Sequence, residues 1–215
     1  MRIQEFAAVF RTAAQGMAQY RDELCRLDSG IGDGDHGVTV SRGFLAAAAA
    51  SEEREGFSAL FAAIGDAMES ATGGAIGPLY AAFFAAVAEA APEGKDSTDV
   101  ALLTALAAGA AGVARAGACQ EGEKTVLDAM APWARALRAA AEAGEDVPSA
   151  ARKGAEAADA GARATGGMRA TKGRARYRGE RSIGPIDPGA RSFALFAALL
   201  ASALGGRSAE GGGSP

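Results

Sequence analysis

Three features of the sequence predict an all-α fold. Alanine is used heavily, whereas β-branched residues are sparse and aromatic residues make up only 6% of the chain, so the residues that favour strands are scarce. Hydrophobic residues recur at three- and four-residue steps in successive segments. Glycine and proline are concentrated between these segments, where helices would end. At 215 residues, the chain is long enough for one large domain or two small ones with a buried core.

Eight helices are predicted in order along the chain. In the first, Phe6 and Phe10 belong to an apolar stripe that repeats with helical spacing. Pro78 suits the first turn of the fourth helix because its missing N–H is needed least there. Ser97 or Thr98 can cap the fifth helix. The predicted helical segments are 3–24, 37–51, 56–68, 79–91, 98–113, 125–143, 149–165 and 193–204.

Composition and charge narrow the functional class. The net charge of −4 argues against a general nucleic-acid-binding or membrane-surface protein. Cys25 and Cys119 stand apart with no C-x-x-C, as in reduced cytosolic proteins. No hydrophobic signal region follows Arg2 and Glu5, and the longest apolar run, Phe193–Leu204, is about half the length that crosses a bilayer. A cytoplasmic protein is therefore expected, with neither nucleic acid nor membrane as a partner.

The most informative segment is Leu27–Gly37, which places Asp28, Asp33 and Asp35 among four glycines. Glycine at this density excludes a helix, since each costs about 1 kcal/mol relative to alanine, and it lets the backbone turn so that the carboxylates converge. Clustered carboxylates repel one another unless a cation lies between them, and all-oxygen ligation favours Mg²⁺ or Ca²⁺. The alternative is an Asp/Gly turn whose charges are solvated.

Two familiar motifs are excluded within this segment. Gly32–Gly37 fits G-x-G-x-x-G, but no β-branched strand precedes it, and two aspartates would face the pyrophosphate that this motif binds. An EF-hand needs Glu at its twelfth position, where counting from Asp28 gives Thr39 and counting from Asp33 gives Phe44. The carboxylates therefore indicate a metal site of another type.

Two further segments suit an anionic ligand. Thr72–Pro78 is a glycine-rich turn leading into a helix start, where backbone N–H groups and the helix dipole attract phosphate. The alternative is a tight turn between helices or a close helix crossing. The loop Gly167–Gly189 is basic: seven basic residues between Arg169 and Arg191 face two acidic ones, a local charge of +5. A loop this long is typically a functional lid or disordered, and arginines suit phosphate oxygens. A solvated or RNA-contacting loop is the alternative.

All of these segments fall at helix connections, and together they predict a Mg²⁺–nucleotide site for phosphoryl transfer. The same segments give the chain a resemblance to the L subunit, or nucleotide-binding domain, of the dihydroxyacetone kinase family from about residue 1 to residue 205. The matching segments are Leu27–Gly37, Gly73–Tyr80, Gly122–Thr125, Lys172–Gly184 and Asp187–Gly189. The fold implied by the resemblance is an eight-helix antiparallel barrel with nucleotide and Mg²⁺ held by the loops at one end.

The resemblance also implies roles for individual residues. Two Mg²⁺ ions would be bound by Asp28, Asp33 and Asp35. The implied nucleotide-binding positions are His36, Gly37, Val38, Thr39, Ala75, Ile76, Gly117, Val126, Arg174, Asp187, Pro188 and Gly189. No catalytic side chain is implied, because the bound nucleotide carries the phosphoryl group. His36, the only histidine, is interpreted as a phosphate contact and not as a phosphohistidine. The chain departs from the family at Ile76, where a small hydroxylated residue is usual, and at Pro185, where histidine is usual.

The function implied by the resemblance requires other subunits. An ADP- or ATP-loaded L subunit would phosphorylate dihydroxyacetone held on a separate K subunit, and a phosphohistidine M subunit of the phosphotransferase system would recharge the ADP. Alternatives are an ATP-dependent ketose kinase subunit, for example for erythrulose, and a non-catalytic regulatory module that binds nucleotide; an RNA-binding protein is a weaker one. Residues 1–205 would form the domain, and residues 206–215 a flexible Gly/Ser-rich tail.

Overall fold

The computed structural model describes residues 1–52 and 54–210, with side chains described as far as residue 206. Within these residues there is no β-strand beyond one isolated bridge between Arg2 and Asp96, so the all-α prediction is confirmed. The helices are α1 (Ile3–Gly16), α2 (Arg21–Ser29), α3 (His36–Ala50), α4 (Phe57–Ala71), α5 (Ile76–Ala90), α6 (Asp99–Gly117), α7 (Leu127–Glu142), α8 (Val147–Ala164) and α9 (Pro188–Glu210). Short 3₁₀ segments occur at Met17–Tyr20, Thr165–Gly167 and Arg174–Ser182.

The first predicted helix is divided into α1 and α2 by the turn Met17–Tyr20, and the other seven predicted helices correspond to α3 through α9. α1 ends at Gly16, where a Cβ atom would lie 3.1 Å from the side chain of Leu199 on α9. This approach of two helices is a tertiary contact, which the periodicity of a single segment does not reveal. Counting α1 and α2 as one interrupted helix gives the predicted arrangement of eight.

The helices form a closed ring in chain order. Each helix from α2 to α8 contacts the next one, and α9 contacts α1 to close the ring. Most connections are short, and a hydrogen bond from the Gly184 N–H to the Gly166 carbonyl brings together the ends of the long one, so successive helices are antiparallel. Aromatic side chains fill the interior in edge-to-face pairs, such as Phe6 with Phe61 (ring centroids 5.4 Å apart) and Phe10 with Phe196 (5.6 Å). The barrel implied by the family resemblance is therefore confirmed.

Because successive helices are antiparallel, alternate connections lie at the same end of the barrel. One end, called the site pole below, is formed by segments 30–35, 72–75, 118–126 and 165–187. The other end, the far pole, is formed by the N-terminus and residues 51–52, 54–56, 91–98 and 143–146. At the far pole, the Met1 ammonium donates to the Ser97 carbonyl at 2.6 Å. All predicted metal- and nucleotide-binding residues lie at the site pole or within one helical turn of it.

Two helices in the described part of the chain, α6 and the Pro188–Gly206 part of α9, are long and apolar enough to cross a bilayer by length and composition alone. About half of each is buried inside the protein (50% and 56%). Core helices of soluble proteins pass the same test, so this is only weak evidence for a membrane span.

The predicted tail begins within the last helix. α9 is helical as far as Glu210, so residues 206–210 belong to it, and residues 211–215 lie outside the described residues. The domain boundary at residue 205 stays a prediction.

Candidate functional site

The acidic segment is built around Asp28, which lies in the last turn of α2 and is only 8% exposed. Its Oδ2 accepts hydrogen bonds from the Gly34 N–H (2.8 Å) and the His36 N–H (3.4 Å). The second of these amides belongs to the first residue of α3, whose N–H has no partner within the helix. One carboxylate therefore joins the end of α2 to the beginning of α3 and folds the residues between them back on themselves.

Asp28, Asp33 and Asp35 converge as the sequence predicts. Each offers a carboxylate oxygen, and these three oxygens lie within 4.8 Å of one another. Oxygen-only ligands from a short, turning segment fit a hard divalent cation such as Mg²⁺. The fold of the segment requires small residues: a Cβ on Gly32 would lie 2.0 Å from the Asp28 Oδ1, and Gly34 has φ of +83°.

The pKa values of Asp33 and Asp35 reflect the crowding of negative charge in this cluster. Burial, followed by the hydrogen bond with Asp33, raises the pKa of Asp35. Desolvation also works to raise the pKa of Asp33, but hydrogen bonds with Asp35 and Arg174 lower it below its ordinary value. The pKa values of the two carboxylates are therefore shifted in opposite directions, as is typical of neighbouring acids whose negative charges are not neutralised by a cation. A divalent cation held by all three would supply that neutralisation.

His36 begins α3 and is directed into the site pole. Its Nε2 lies 3.1 Å from the Ser192 Oγ, which itself donates to the Gly189 carbonyl at 2.9 Å. Since the serine hydrogen is engaged there, the serine oxygen is the acceptor and the imidazole Nε2–H is the donor. Burial lowers the pKa of His36, so the ring is neutral near pH 7.

The other residues at the start of α3 have different environments. A Cβ on Gly37 would lie 1.9 Å from the Arg21 carbonyl oxygen, so glycine lets α3 pack closely on α2. Thr39 is buried, and Val38 is 51% exposed. The beginning of α3 thus presents backbone amides and one exposed side chain beside the three carboxylates, which is a favourable arrangement for an anion.

The turn before α5 faces open space at the same pole. Ala75 precedes the first helical residue, Ile76, and Cβ atoms on Gly73 and Gly74 would meet no other atom within 4 Å. Gly74 has φ of +66°. The turn therefore has room for a ligand at a helix N-terminus, as the phosphate interpretation requires.

The loop Gly167–Gly189 is ordered by contacts with two other site-pole segments. Arg174 donates to the Asp33 carboxylate, which joins the loop to the acidic segment. On the opposite side, the Thr171 N–H donates to the Glu123 carbonyl at 3.3 Å, and the Lys172 Nζ donates to the Ala118 carbonyl at 2.7 Å. The predicted lid is thus folded over the site pole with Arg174 directed at the carboxylates.

The remaining predicted positions lie where this loop enters α9. The Asp187 Oδ2 accepts the Ala190 N–H at 2.8 Å and so caps α9. Burial raises the pKa of Asp187 to about 6. A Cβ on Gly189 would lie 3.4 Å from the Val126 Cβ. Val126 therefore borders Asp187–Gly189, as expected if both contact one ligand.

Gly117 completes the set on the side of α5. It ends α6, and a Cβ there would lie 3.3 Å from the Leu79 side chain of α5. The structure thus places all fifteen predicted residues around one pole; direct contacts join Asp28 with His36 and Asp33 with Arg174. The ligand contacts of these residues stay a prediction.

Three residues that sequence reasoning did not assign also organise this pole. They are Lys124, Asp128 and Ser192, each no more than 4% exposed. Asp128 accepts the N–H groups of Gly122 (2.5 Å) and Thr125 (2.7 Å) and so shapes the segment before α7. The sequence contained one signal for these residues: Lys124 lies within Gly122–Thr125, a segment that already matched the family.

Comparisons with known proteins show the family to which the chain belongs. Residues 30–202 match the family profile described as the DAK2 domain. The chain is 38% identical over 182 residues to the ADP-binding subunit of the PEP-dependent dihydroxyacetone kinase of Escherichia coli, covering 83% of this chain and 86% of that protein. It is 39% identical over 181 residues to the ADP-binding subunit of PEP-dependent dihydroxyacetone kinase 1 of Listeria innocua, covering 82% of this chain and 85% of that protein.

Longer proteins are similar over about a third of their length. The chain is 36% identical over 199 residues to the L-erythrulose 1-kinase of Mycolicibacterium smegmatis, covering 90% of this chain and 34% of that protein. The crystal structure of the dihydroxyacetone kinase of C. freundii superposes with a TM-score of 0.72 at 26% identity, over 92% of this chain and 34% of that one. The structure of that kinase in complex with AMP-PNP and Mg²⁺ gives a TM-score of 0.71, over 91% of this chain and 33% of that one.

Proposed function

The chain belongs to the DAK2 domain family, and on that premise we propose that it is the ADP-binding L subunit of a dihydroxyacetone kinase. Relatives that match over most of their own length are ADP-binding subunits of PEP-dependent dihydroxyacetone kinases, and a structural neighbour was crystallised with AMP-PNP and Mg²⁺. The observation that carries the proposal is the convergence of three carboxylate oxygens within 4.8 Å at the site pole.

In this function, Asp28, Asp33 and Asp35 hold two Mg²⁺ ions. The bound cations neutralise the phosphate oxygens and the charge that develops during phosphoryl transfer. Around them, the amides at the start of α3 and the side chain of His36 bind phosphate oxygens, and Arg174 adds a charge-assisted hydrogen bond. Ala75 and Ile76, at the start of α5, contribute to the phosphate side.

The nucleoside lies between the α6–α7 segment and the start of α9. Gly117 and Val126 line one side, and Asp187, Pro188 and Gly189 close over the other. The short separation of Val126 and Gly189, where an added Cβ on the glycine would lie 3.4 Å from the Val126 Cβ, supports this placement, because the two segments can then enclose one ligand. The loop Gly167–Gly189 is the lid that covers the nucleotide and excludes water.

The acceptor is proposed to be dihydroxyacetone bound to a separate K subunit that docks at the site pole. Phosphoryl transfer needs donor and acceptor oxygens in line and close together, so the two subunits must meet where the nucleotide lies. Arg176 and Arg178, on the rim of the lid, would face an acidic patch on that partner and steer the encounter. Tyr177 between them is 74% exposed and adds apolar area to the same surface.

The phosphoryl donor is proposed to be a phosphohistidine M subunit of the phosphotransferase system, which recharges ADP that stays on the L subunit. The names of the two ADP-binding subunits described above, which are those of PEP-dependent kinases, support this donor. The protein is proposed to act in the cytoplasm, where the phosphotransferase proteins and their substrates are found.

Reconstitution tests the proposal. The purified chain, its K subunit, Mg²⁺ and dihydroxyacetone are mixed, and either ATP or a phosphorylated M subunit is supplied. Dihydroxyacetone phosphate is expected only when the chain and the K subunit are both present and the phosphorylated M subunit is the donor. Turnover by the chain alone would contradict the role of a subunit.

Two further arms of the same assay address the alternatives. Turnover with ATP and erythrulose, but not with the M subunit, would assign the chain to an ATP-dependent ketose kinase, in line with its 36% identity to an erythrulose kinase. Tight Mg–ADP binding without phosphoryl uptake from any donor would indicate a regulatory module.

A further inference from the structure

Lys124 is a buried cation at the site pole. It lies in the segment between α6 and α7 and is 1% exposed. A buried ammonium is stable only when its hydrogen-bonding capacity is met. Its Nζ donates to two backbone carbonyls, those of Thr165 and Pro185, the second at 2.5 Å. Burial lowers the pKa of Lys124, whereas Asp187 and Asp128 oppose this effect.

The two carbonyls belong to opposite ends of the loop between α8 and α9. Two further hydrogen bonds join these ends directly. The Gly184 N–H donates to the Gly166 carbonyl at 2.8 Å, and the Asp187 N–H donates to the Thr165 Oγ1 at 2.8 Å. The loop is therefore closed at its base like an Ω-loop, and Lys124 reaches that base from a different segment of the chain.

The backbone of Lys124 is arranged for this contact. Its φ is +61°, a left-handed conformation that is uncommon for a residue with a side chain. Hydrogen bonds from the Gly122 and Thr125 N–H groups to the Asp128 carboxylate hold the turn on either side. A strained residue held by its neighbours and directed at a functional loop is a typical sign of positioning.

We propose that Lys124 is a positioning residue for the nucleotide site: it fixes the base of the lid and thereby the placement of Asp187–Gly189, without contacting the ligand. The inference rests on the proposed function, because the ligand it serves is Mg–ADP. The connection is short, since Pro185 lies two residues before Asp187. Val126, two residues after Lys124, borders Gly189 on the other side. Lys124 thus sets the spacing between the two segments that enclose the nucleoside.

Lys124→Met tests the role, because methionine keeps an unbranched apolar side chain and removes the three N–H donors. Methionine occupies a similar volume, but the carbonyls of Thr165 and Pro185 lose this donor, so the base of the lid is destabilised locally. The expected result is that amide hydrogen exchange in residues 166–186 becomes at least tenfold faster without nucleotide, while exchange in α1 and α4 is unchanged. The Kd for Mg–ADP is expected to rise about tenfold to a hundredfold.

The matched control is Lys153→Met, which removes an exposed lysine that pairs with Glu145 at 2.5 Å on the surface of α8. Neither exchange in residues 166–186 nor the Kd for Mg–ADP should change in this variant. Lys124→Arg, which keeps the charge and the donors, should restore at least part of the protection. Should Lys124→Met not fold, Thr165→Val removes the bond to the Asp187 N–H from the other side and should release the same residues.

The outcomes separate the possibilities. Faster exchange confined to residues 166–186 together with weaker Mg–ADP binding supports the positioning role. A lowered Tm with faster exchange throughout the chain would reveal a purely structural lysine and overturn it, as would unchanged exchange and affinity. The exchange measurement needs no ligand, so it tests the link from Lys124 to the lid independently of nucleotide binding. If the wild-type protein binds no Mg–ADP, the proposed function is refuted, and the positioning role for a nucleotide site is refuted with it.

Discussion

Gly32→Ala should disrupt the metal site without removing any charge or ligand. A Cβ at this position would lie 2.0 Å from the Asp28 Oδ1 and 2.7 Å from its Cγ. Carbon and oxygen atoms that are not bonded stay roughly 3.3 Å apart or more, so the carboxylate or the backbone must move by about 1 Å. The Oδ2 of the same carboxylate is held by the Gly34 N–H at 2.8 Å, so rotation of the carboxylate breaks that hydrogen bond.

The expected size follows from how little displacement a metal site tolerates. Productive site geometry is kept to within about 0.5 Å, and ligand distances vary by only about 0.2 Å. A shift of about 1 Å in one ligand should weaken Mg–ADP binding by roughly tenfold to a hundredfold, or about 1.4–2.7 kcal/mol. The change is expected in isothermal titration calorimetry with Mg–ADP, with the helical circular dichroism spectrum unaltered.

Gly30→Ala is the matched control in the same segment. Gly30 has φ of −75°, which alanine adopts readily, and a Cβ there would have its nearest neighbour, the Leu27 carbonyl oxygen, at 3.7 Å. This variant should bind Mg–ADP like the wild type. Wild-type affinity in Gly32→Ala, or an equal loss in both variants, would refute the assignment of Asp28 as a metal ligand in this geometry.

Three further predictions concern the lid and the start of α9. Arg174→Ala should weaken Mg–ADP binding by about 1.5–3 kcal/mol, as expected for one hydrogen bond to a charged group. In the wild type, Mg–ADP should slow tryptic cleavage in Gly167–Gly189, and cleavage at the same rate with and without nucleotide would exclude a lid. Ser192→Ala should raise the fraction of the Nδ1–H tautomer of His36, measured by ¹⁵N NMR of this single imidazole, and an unchanged spectrum would exclude the hydrogen bond. Burial raises the pKa of Asp187 to about 6 from about 4 in the unfolded chain, so the native state takes up the proton first, and the contribution of Asp187 to the free energy of unfolding should increase as the pH falls from about 7 to 4. In urea titrations, Asp187→Asn should reduce the change in the free energy of unfolding between pH 7 and pH 4 by up to about 2 kcal/mol. If the free energy of unfolding of this variant depends on pH as that of the wild type does, the raised pKa of Asp187 is contradicted.

The acidic segment could be predicted from sequence because its information is local. Asp28, Asp33 and Asp35 lie within eight residues, and the glycines between them impose a turn whichever fold surrounds it. The eight amphipathic segments are predictable for a similar reason, since helical periodicity is read within one segment at a time.

The contacts that complete the site are not local. The hydrogen bond between His36 and Ser192 spans 156 residues, and the one from Lys124 to Thr165 spans 41. Gly16, where α1 ends, lies against Leu199 from the other end of the chain. Nothing in the composition around these residues indicates their partners, because the closure of the helical ring decides which side chains meet.

Eight antiparallel helices have seven connections, so the first helix begins and the last helix ends at the same pole, which affects where another domain can be fused. The chain starts at the far pole, where Met1 contacts Ser97, and α9 carries it back there from Pro188 to Glu210. A helix of 23 residues is about 35 Å long, so a domain fused before Met1 or directly after Glu210 would start at about that distance from the carboxylates. A linker would need roughly ten extended residues to bring a fused acceptor domain back to the site. Affinity tags at either terminus, by the same geometry, leave the lid and the face that meets the acceptor free.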